Sequence, residues 1–150
     1  VYRARRPAGS TFLPFVYGLV FDSPQMGPGT VTLDVPMDNR KVMIGGLSGV
    51  LGEWSSNREA PLYEGEISAA YALFHSKNAA SVRLGSEVGL AKLREFVAKA
   101  GVTSELRPFP STFLGASEVT LLELTQAYTV FGNQGRTPAS ASLIDYISTP

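Results

Sequence analysis

Arg6-Pro-Ala-Gly-Ser-Thr-Phe-Leu-Pro-Phe-Val-Tyr17 is the stretch that decides how this chain is read. Pro7, Ala8 and Gly9 break the backbone, and the run Thr11 to Phe21 that follows is apolar on every side, which predicts a helix buried all round. Pro14 fits only a first turn, where its missing N–H leaves no bond unmade, so the helix should start between Gly9 and Thr11. Ser10 then stands at the N-terminal mouth, where free N–H groups and the helix dipole favour a developing negative charge. A serine there suits nucleophilic or oxyanion chemistry, and the same position is also where a serine simply caps a helix.

The rest of the composition narrows the chemistry. The 150 residues carry 13 basic and 13 acidic side chains, so zero net charge gives no reason to expect nucleic acid as a partner. With 44% apolar and 17% charged residues the chain is globular rather than disordered. No stretch approaches the ~20 apolar residues that span a bilayer, since Phe12 to Phe21 is interrupted by Pro14 and Gly18. Without cysteine, and with His75 as the only histidine, neither a metal site nor any cofactor is expected. The chain opens on Val1 and stops at Pro150, directly after the strand-like run Ser142 to Ser148, and so reads as an excerpt of something longer.

Farther along, the text from Asp22 to Pro61 is rich in Gly, Pro, Asn and Ser, with strand candidates at Thr30 to Val35 and Lys41 to Ile44. Helical spacing resumes over Glu66 to Phe74, is interrupted at Ser76 to Asn78, and continues over Ala79 to Val88. Leu90, Leu93, Phe96, Val97 and Ala100 form an apolar stripe that Gly101 ends. Thr120 with Glu123 is a capping box, and Leu121, Leu124, Tyr128 and Phe131 are the expected buried face of the helix it opens, closed by Gly132 and Gly135. Four or five helices with little strand give a mainly helical segment.

The stretch from Arg6 to Tyr17 resembles the active-serine segment of the penicillin-binding proteins, in particular the transpeptidase domain of the bifunctional, class A type. Ser10 matches the acylated serine. Ala72-Leu-Phe-His-Ser-Lys-Asn78, after Gly65-Glu-Ile-Ser68, is similar to the second motif, Ser-x-Asn, which Ser76 and Asn78 match. Pro110 to Thr120, Leu122 to Tyr128 and Phe131-Gly-Asn-Gln-Gly135 resemble the downstream helix and turn. The resemblance implies an α+β transpeptidase fold, of which residues 1–150 would be a partial domain running from the active-serine helix through the helical subdomain. Most of the central antiparallel sheet would be missing. It also implies a peptidoglycan D,D-transpeptidase acting on D-Ala-D-Ala stem peptides, β-lactam binding where the site is competent, and a parent protein at the extracytoplasmic face of the bacterial membrane.

Departures from the pattern bear on activity. The family's first motif is Ser-x-x-Lys, whose lysine takes the serine proton, and here Leu13 occupies that position. The Lys-Thr-Gly motif is absent; Lys99-Ala-Gly101 imitates it in letters but reads as a helix C-cap. Smaller departures are Trp54-Ser-Ser-Asn57 and Leu121, where a proline often opens the helix. Lys77 and His75 flank the second motif; Lys77 reads as solvated rather than a substitute base, His75 as a hydrogen-bonded helix-end residue, and Arg3, Arg5 and Arg6 as a solvated approach to the helix. An inactive transpeptidase-type site is expected, with a non-catalytic peptide- or partner-binding piece as the alternative. With the sheet missing, Phe12, Phe15, Val16, Leu19 and Val20 are expected to leave an apolar patch along the serine helix through which the chain self-associates.

Overall fold

The computed structural model describes residues 3–37 and 62–137. Among them, strand β1 (Arg5–Pro7) leads through a 3₁₀ turn (Gly9–Phe12) into helix α1 (Leu13–Phe21), and β2 (Val31–Asp34) follows. After residue 62 come β3 (Gly65–Ser68), α2 (Ala69–Phe74), α3 (Asn78–Val88) and α4 (Leu90–Lys99). A second 3₁₀ turn (Pro110–Leu114), β4 (Glu118–Thr120) and α5 (Leu121–Gly132) complete the order. The strands form two antiparallel pairs: β1 on β4, with Arg6 opposite Val119, and β2 on β3, with Thr32 opposite Ile67. The architecture is α+β and mainly helical. The Lys41 to Ile44 strand, the Trp54 to Asn57 stretch and the Ser142 to Ser148 run lie outside the described residues.

Helix α1 is the axis of the core. Pro14 sits in its first turn, as the missing N–H requires. One side of the helix (Phe12, Phe15, Val16) packs into a cluster with Leu93 and Val97 of α4, Phe113, Val119 and Ala127. The other side (Leu13, Tyr17, Val20) packs with Ala69 and Ala72 of α2 and Ala80 and Leu84 of α3. The expected apolar patch along α1 is therefore not there: Phe12, Phe15, Val16 and Val20 are all buried, Phe15 with no exposed surface at all. Helices on both flanks cover what a larger sheet was expected to cover.

Two further expectations are corrected. Gly65 to Ser68 is strand rather than the start of a helix, because its backbone bonds to β2 and Ser68, in extended conformation, caps α2 by accepting from the Tyr71 N–H at 3.2 Å. On α5 the capping box at Thr120 is present, but Ala127 is the buried residue, while Leu121 and Phe131 are 61% and 49% exposed. The small Ala127 lets α5 come close to the core, and Tyr128 and Phe131 reach it at the Phe15 ring, Tyr128 edge-on at a centroid distance of 5.2 Å and Phe131 tilted at 5.1 Å. Gly101, with φ near +101°, ends α4 as expected, so Lys99-Ala-Gly101 is a helix terminus.

Candidate active site

Ser10 lies in the 3₁₀ turn, exposed, one turn ahead of α1. The turn is held from behind: the Gly9 N–H donates to the Gly115 carbonyl at 2.9 Å, and the Tyr128 hydroxyl donates to the carbonyl of Thr11. Gly115 has φ near +70°, and a Cβ there would stand 2.2 Å from the Gly9 carbonyl oxygen, so only glycine permits this approach. An apolar groove of about 460 Å³, lined by residues that include Ala8, Thr11, Val119, Leu121 and Leu124, runs past the serine turn.

Leu13, three residues on, is 2% exposed and belongs to the apolar cluster of Tyr17, Ala69, Ala72, Ala80 and Leu84. Its polar neighbour in that cluster is the Tyr17 hydroxyl, which pairs with Ser81 Oγ at 2.9 Å. Burial is the larger influence on Tyr17 and pushes its pKa up to about 12 against the opposing Ser81 bond, so the phenol stays neutral and supplies no anion or base at ordinary pH.

Ser76 and Asn78 lie at the junction of α2 and α3. The Ser76 N–H donates to the Leu73 carbonyl at 3.1 Å and the Lys77 N–H to the Ala72 carbonyl at 2.8 Å. This paired closure of a helix end goes with a left-handed Ser76, φ near +51°. Asn78 is the first residue of α3. Among the described residues no hydrogen bond joins Ser10 to Ser76 or Asn78, and none is made by the side chains of these three. What the fold does bring together is Leu13 with Ala72 and Ala80, which flank the Ser-x-Asn tip in sequence.

Lys77 is not solvated. Its Nζ lies 3.1 Å from Asp34 Oδ2 and 2.6 Å from Glu64 Oε1, and it donates to the Leu62 carbonyl at 3.3 Å. Burial alone would lower its pKa, but the bonds to Glu64 and Asp34 outweigh that and hold it above the usual lysine value. Asp34, itself 2% exposed, went unnoticed in the sequence because it ends an inverted strand in which Thr32 and Asp34 face inward and Val31 and Leu33 outward. His75 ends α2 with its ring tilted against Tyr71 at a centroid distance of 4.1 Å and edge-on to Phe74 at 4.9 Å, rather than held by a side-chain hydrogen bond. Arg3, Arg5 and Arg6 are exposed, as expected. No group of three or more acidic, histidine or cysteine side chains among the described residues could hold a metal, and no described helix is long and apolar enough to cross a membrane.

No protein-family model matches the chain. It is 34% identical over 146 residues to penicillin-binding protein 1A of Neisseria meningitidis, covering 97% of this chain and 17% of the relative. It is 29% identical over 131 residues to penicillin-binding protein 1A of Vibrio cholerae, which covers 87% of this chain. This chain is homologous to part of the class A penicillin-binding proteins. Its fold agrees with the crystal structure of penicillin-binding protein 1A from Haemophilus influenzae, at TM-score 0.70 and 24% identity, covering 87% of this chain and 18% of that one. It also agrees with the PonA1 protein of Mycobacterium tuberculosis, solved in complex with penicillin V, at TM-score 0.59 and 21% identity, covering 85% of this chain and 35% of that one. The chain thus spans about a sixth of the length of the curated relatives it matches.

Proposed function

We propose that this chain carries the serine-bearing part of a peptidoglycan D,D-transpeptidase-type domain in which Ser10 is not acylated. Residues 1–150 would be that partial domain, and the parent would act at the extracytoplasmic face of the bacterial membrane. Homology to a penicillin-binding family of peptidoglycan synthesis supports the class, and D-Ala-D-Ala stem peptides and β-lactams are the ligands it implies. The observation that carries the second half is Leu13: buried in an apolar cluster at the position where the proton acceptor belongs.

Acylation forms a bond from Ser10 Oγ to the substrate carbonyl carbon and breaks that carbon's bond to the amide nitrogen, with the hydroxyl proton passing by way of a base to the leaving nitrogen. A leucine accepts no proton, and loss of a positioned base costs about 10²–10⁴-fold or more. Lys77, the cation of the second motif, is committed to Asp34 and Glu64. The alternative, a non-catalytic domain that keeps a peptide groove or partner surface, is favoured by the same residue.

Labelling with fluorescent penicillin tests the proposal. The native chain should remain unlabelled, and Leu13→Lys should gain labelling that Ser10→Ala removes. Stoichiometric labelling of the native chain would overturn it, and failure of Leu13→Lys to label although folded would favour the binding-only alternative.

A further inference from the structure

We propose that Asp34 and Glu64, acting through Lys77, are positioning residues for the Ser-x-Asn tip, and that this ion triad holds Ser76 in its left-handed backbone conformation and so sets where Ser76 Oγ and the Asn78 amide stand. The proposal deepens the reading above, since it takes Ser76 and Asn78 as the ligand-facing pair of the second motif.

Ser76 occupies the position after a helix end that glycine usually fills, and Gln134 is the other non-glycine residue with positive φ among the described residues. A side chain there disfavours the conformation, so the surroundings must impose it. The two backbone bonds that close α2 supply part of that. Lys77 supplies the rest, because it is pinned at both ends. Its ammonium is fixed to β2 through Asp34 and to the approach to β3 through Glu64 and the Leu62 carbonyl. Its carbonyl accepts from Ser81 Oγ at 2.8 Å, and Ser81 is in turn bonded to Tyr17 of α1.

The acidic side of the triad is itself ordered: the Glu64 N–H donates to Asp34 Oδ2 at 3.2 Å, and the Tyr71 hydroxyl bonds the Glu64 carboxylate. By contrast Ser76 Oγ and the Asn78 side-chain amide make no hydrogen bond among the described residues. Their directions are set through the backbone, by a residue whose side chain is bound on the β2–β3 side of the tip.

The test reads the backbone of Ser76 directly. Isotope-labelled native chain, Lys77→Met, Lys77→Arg and Glu64→Gln are compared by scalar and dipolar couplings that report the sign of φ at Ser76, together with the Asn78 side-chain amide shifts. Lys77→Met should lose the left-handed Ser76 several-fold while resonances of α4 and α5 stay in place, Lys77→Arg should restore it, and Glu64→Gln should shift in the same direction by less. Unchanged couplings at Ser76 and unchanged Asn78 shifts in Lys77→Met would overturn the proposal. If Lys77→Met does not fold, Glu64→Gln decides, and native-like couplings there overturn it equally. Because nothing in this readout depends on acylation, its outcome is independent of the labelling experiment at Ser10.

Discussion

The two motif regions of this molecule differ in kind. Where the serine turn enters α1, the position that should hold a base is occupied by Leu13 and enclosed by alanines, a leucine and a neutral tyrosine. At the Ser-x-Asn tip, the backbone is braced by three charged side chains and a tyrosine, Asp34, Glu64, Lys77 and Tyr71. One region is filled by apolar packing, and the other carries a polar scaffold whose bonds run to the fold. A polar cluster can therefore brace a turn of backbone through bonds made entirely within the fold.

The contrast can be broken most forcefully at its charged side. Asp34→Asn leaves Lys77 with Glu64 as its remaining carboxylate partner and should cost about 3 kcal/mol, read by chemical denaturation. A loss below about 1 kcal/mol would mean that water solvates the ammonium and that the tip is not braced. On the apolar side, Leu13→Ala should cost about 3 kcal/mol through lost burial and the cavity left behind. A near-neutral result there would show that Leu13 is not a packing residue.

Gly115→Ala sharpens the comparison at the serine turn itself. The added methyl meets the Gly9 carbonyl and the residue must hold a positive φ, so a cost of about 2–3 kcal/mol is expected, with amide shifts concentrated at Gly9 to Thr11. Shifts elsewhere but none at the turn would show that Gly115 does not support Ser10.

The smallest expected effect lies away from both motifs and serves as their electrostatic reference. Glu123 receives bonds from the Thr103 and Ser104 backbone and hydroxyl groups and from Thr120. Partial burial would raise its pKa, yet these bonds win and lower it from 4.5 to about 2. Its folded value lies below its unfolded one, so its stabilisation is present at neutral pH and is lost as the pH falls from about 4.5 toward 2. Glu123→Gln should cost about 1–2 kcal/mol at neutral pH and flatten that acid limb of the stability curve. An unchanged acid limb would count against the hub.

Much of this architecture was legible in the residues. The apolar run with Pro14 in its first turn marked α1, the Thr120 and Glu123 pair marked the start of α5, and Gly101 marked the end of α4. What escaped were features fixed by partners distant in sequence. β1 and β4 are three residues each and exist only because they pair across more than a hundred positions, too short for any periodicity to announce. Lys77 reads as a solvated charge, and nothing in the sequence singles out Asp34, until β2 and the α2–α3 junction bring the two together. The face of α5 was misjudged because the small Ala127, not the large side chains, sets how close that helix approaches the core. At the site, the departure at Leu13 was readable, and its enclosure by α2 and α3 was not.

Intact-mass spectrometry of the native chain after prolonged exposure to excess penicillin, with peptide mapping of any adduct, tests the central claim most directly. A leucine at the base position predicts an unmodified mass under conditions that acylate a competent serine to completion. A stoichiometric penicilloyl group mapped to Ser10 would contradict it.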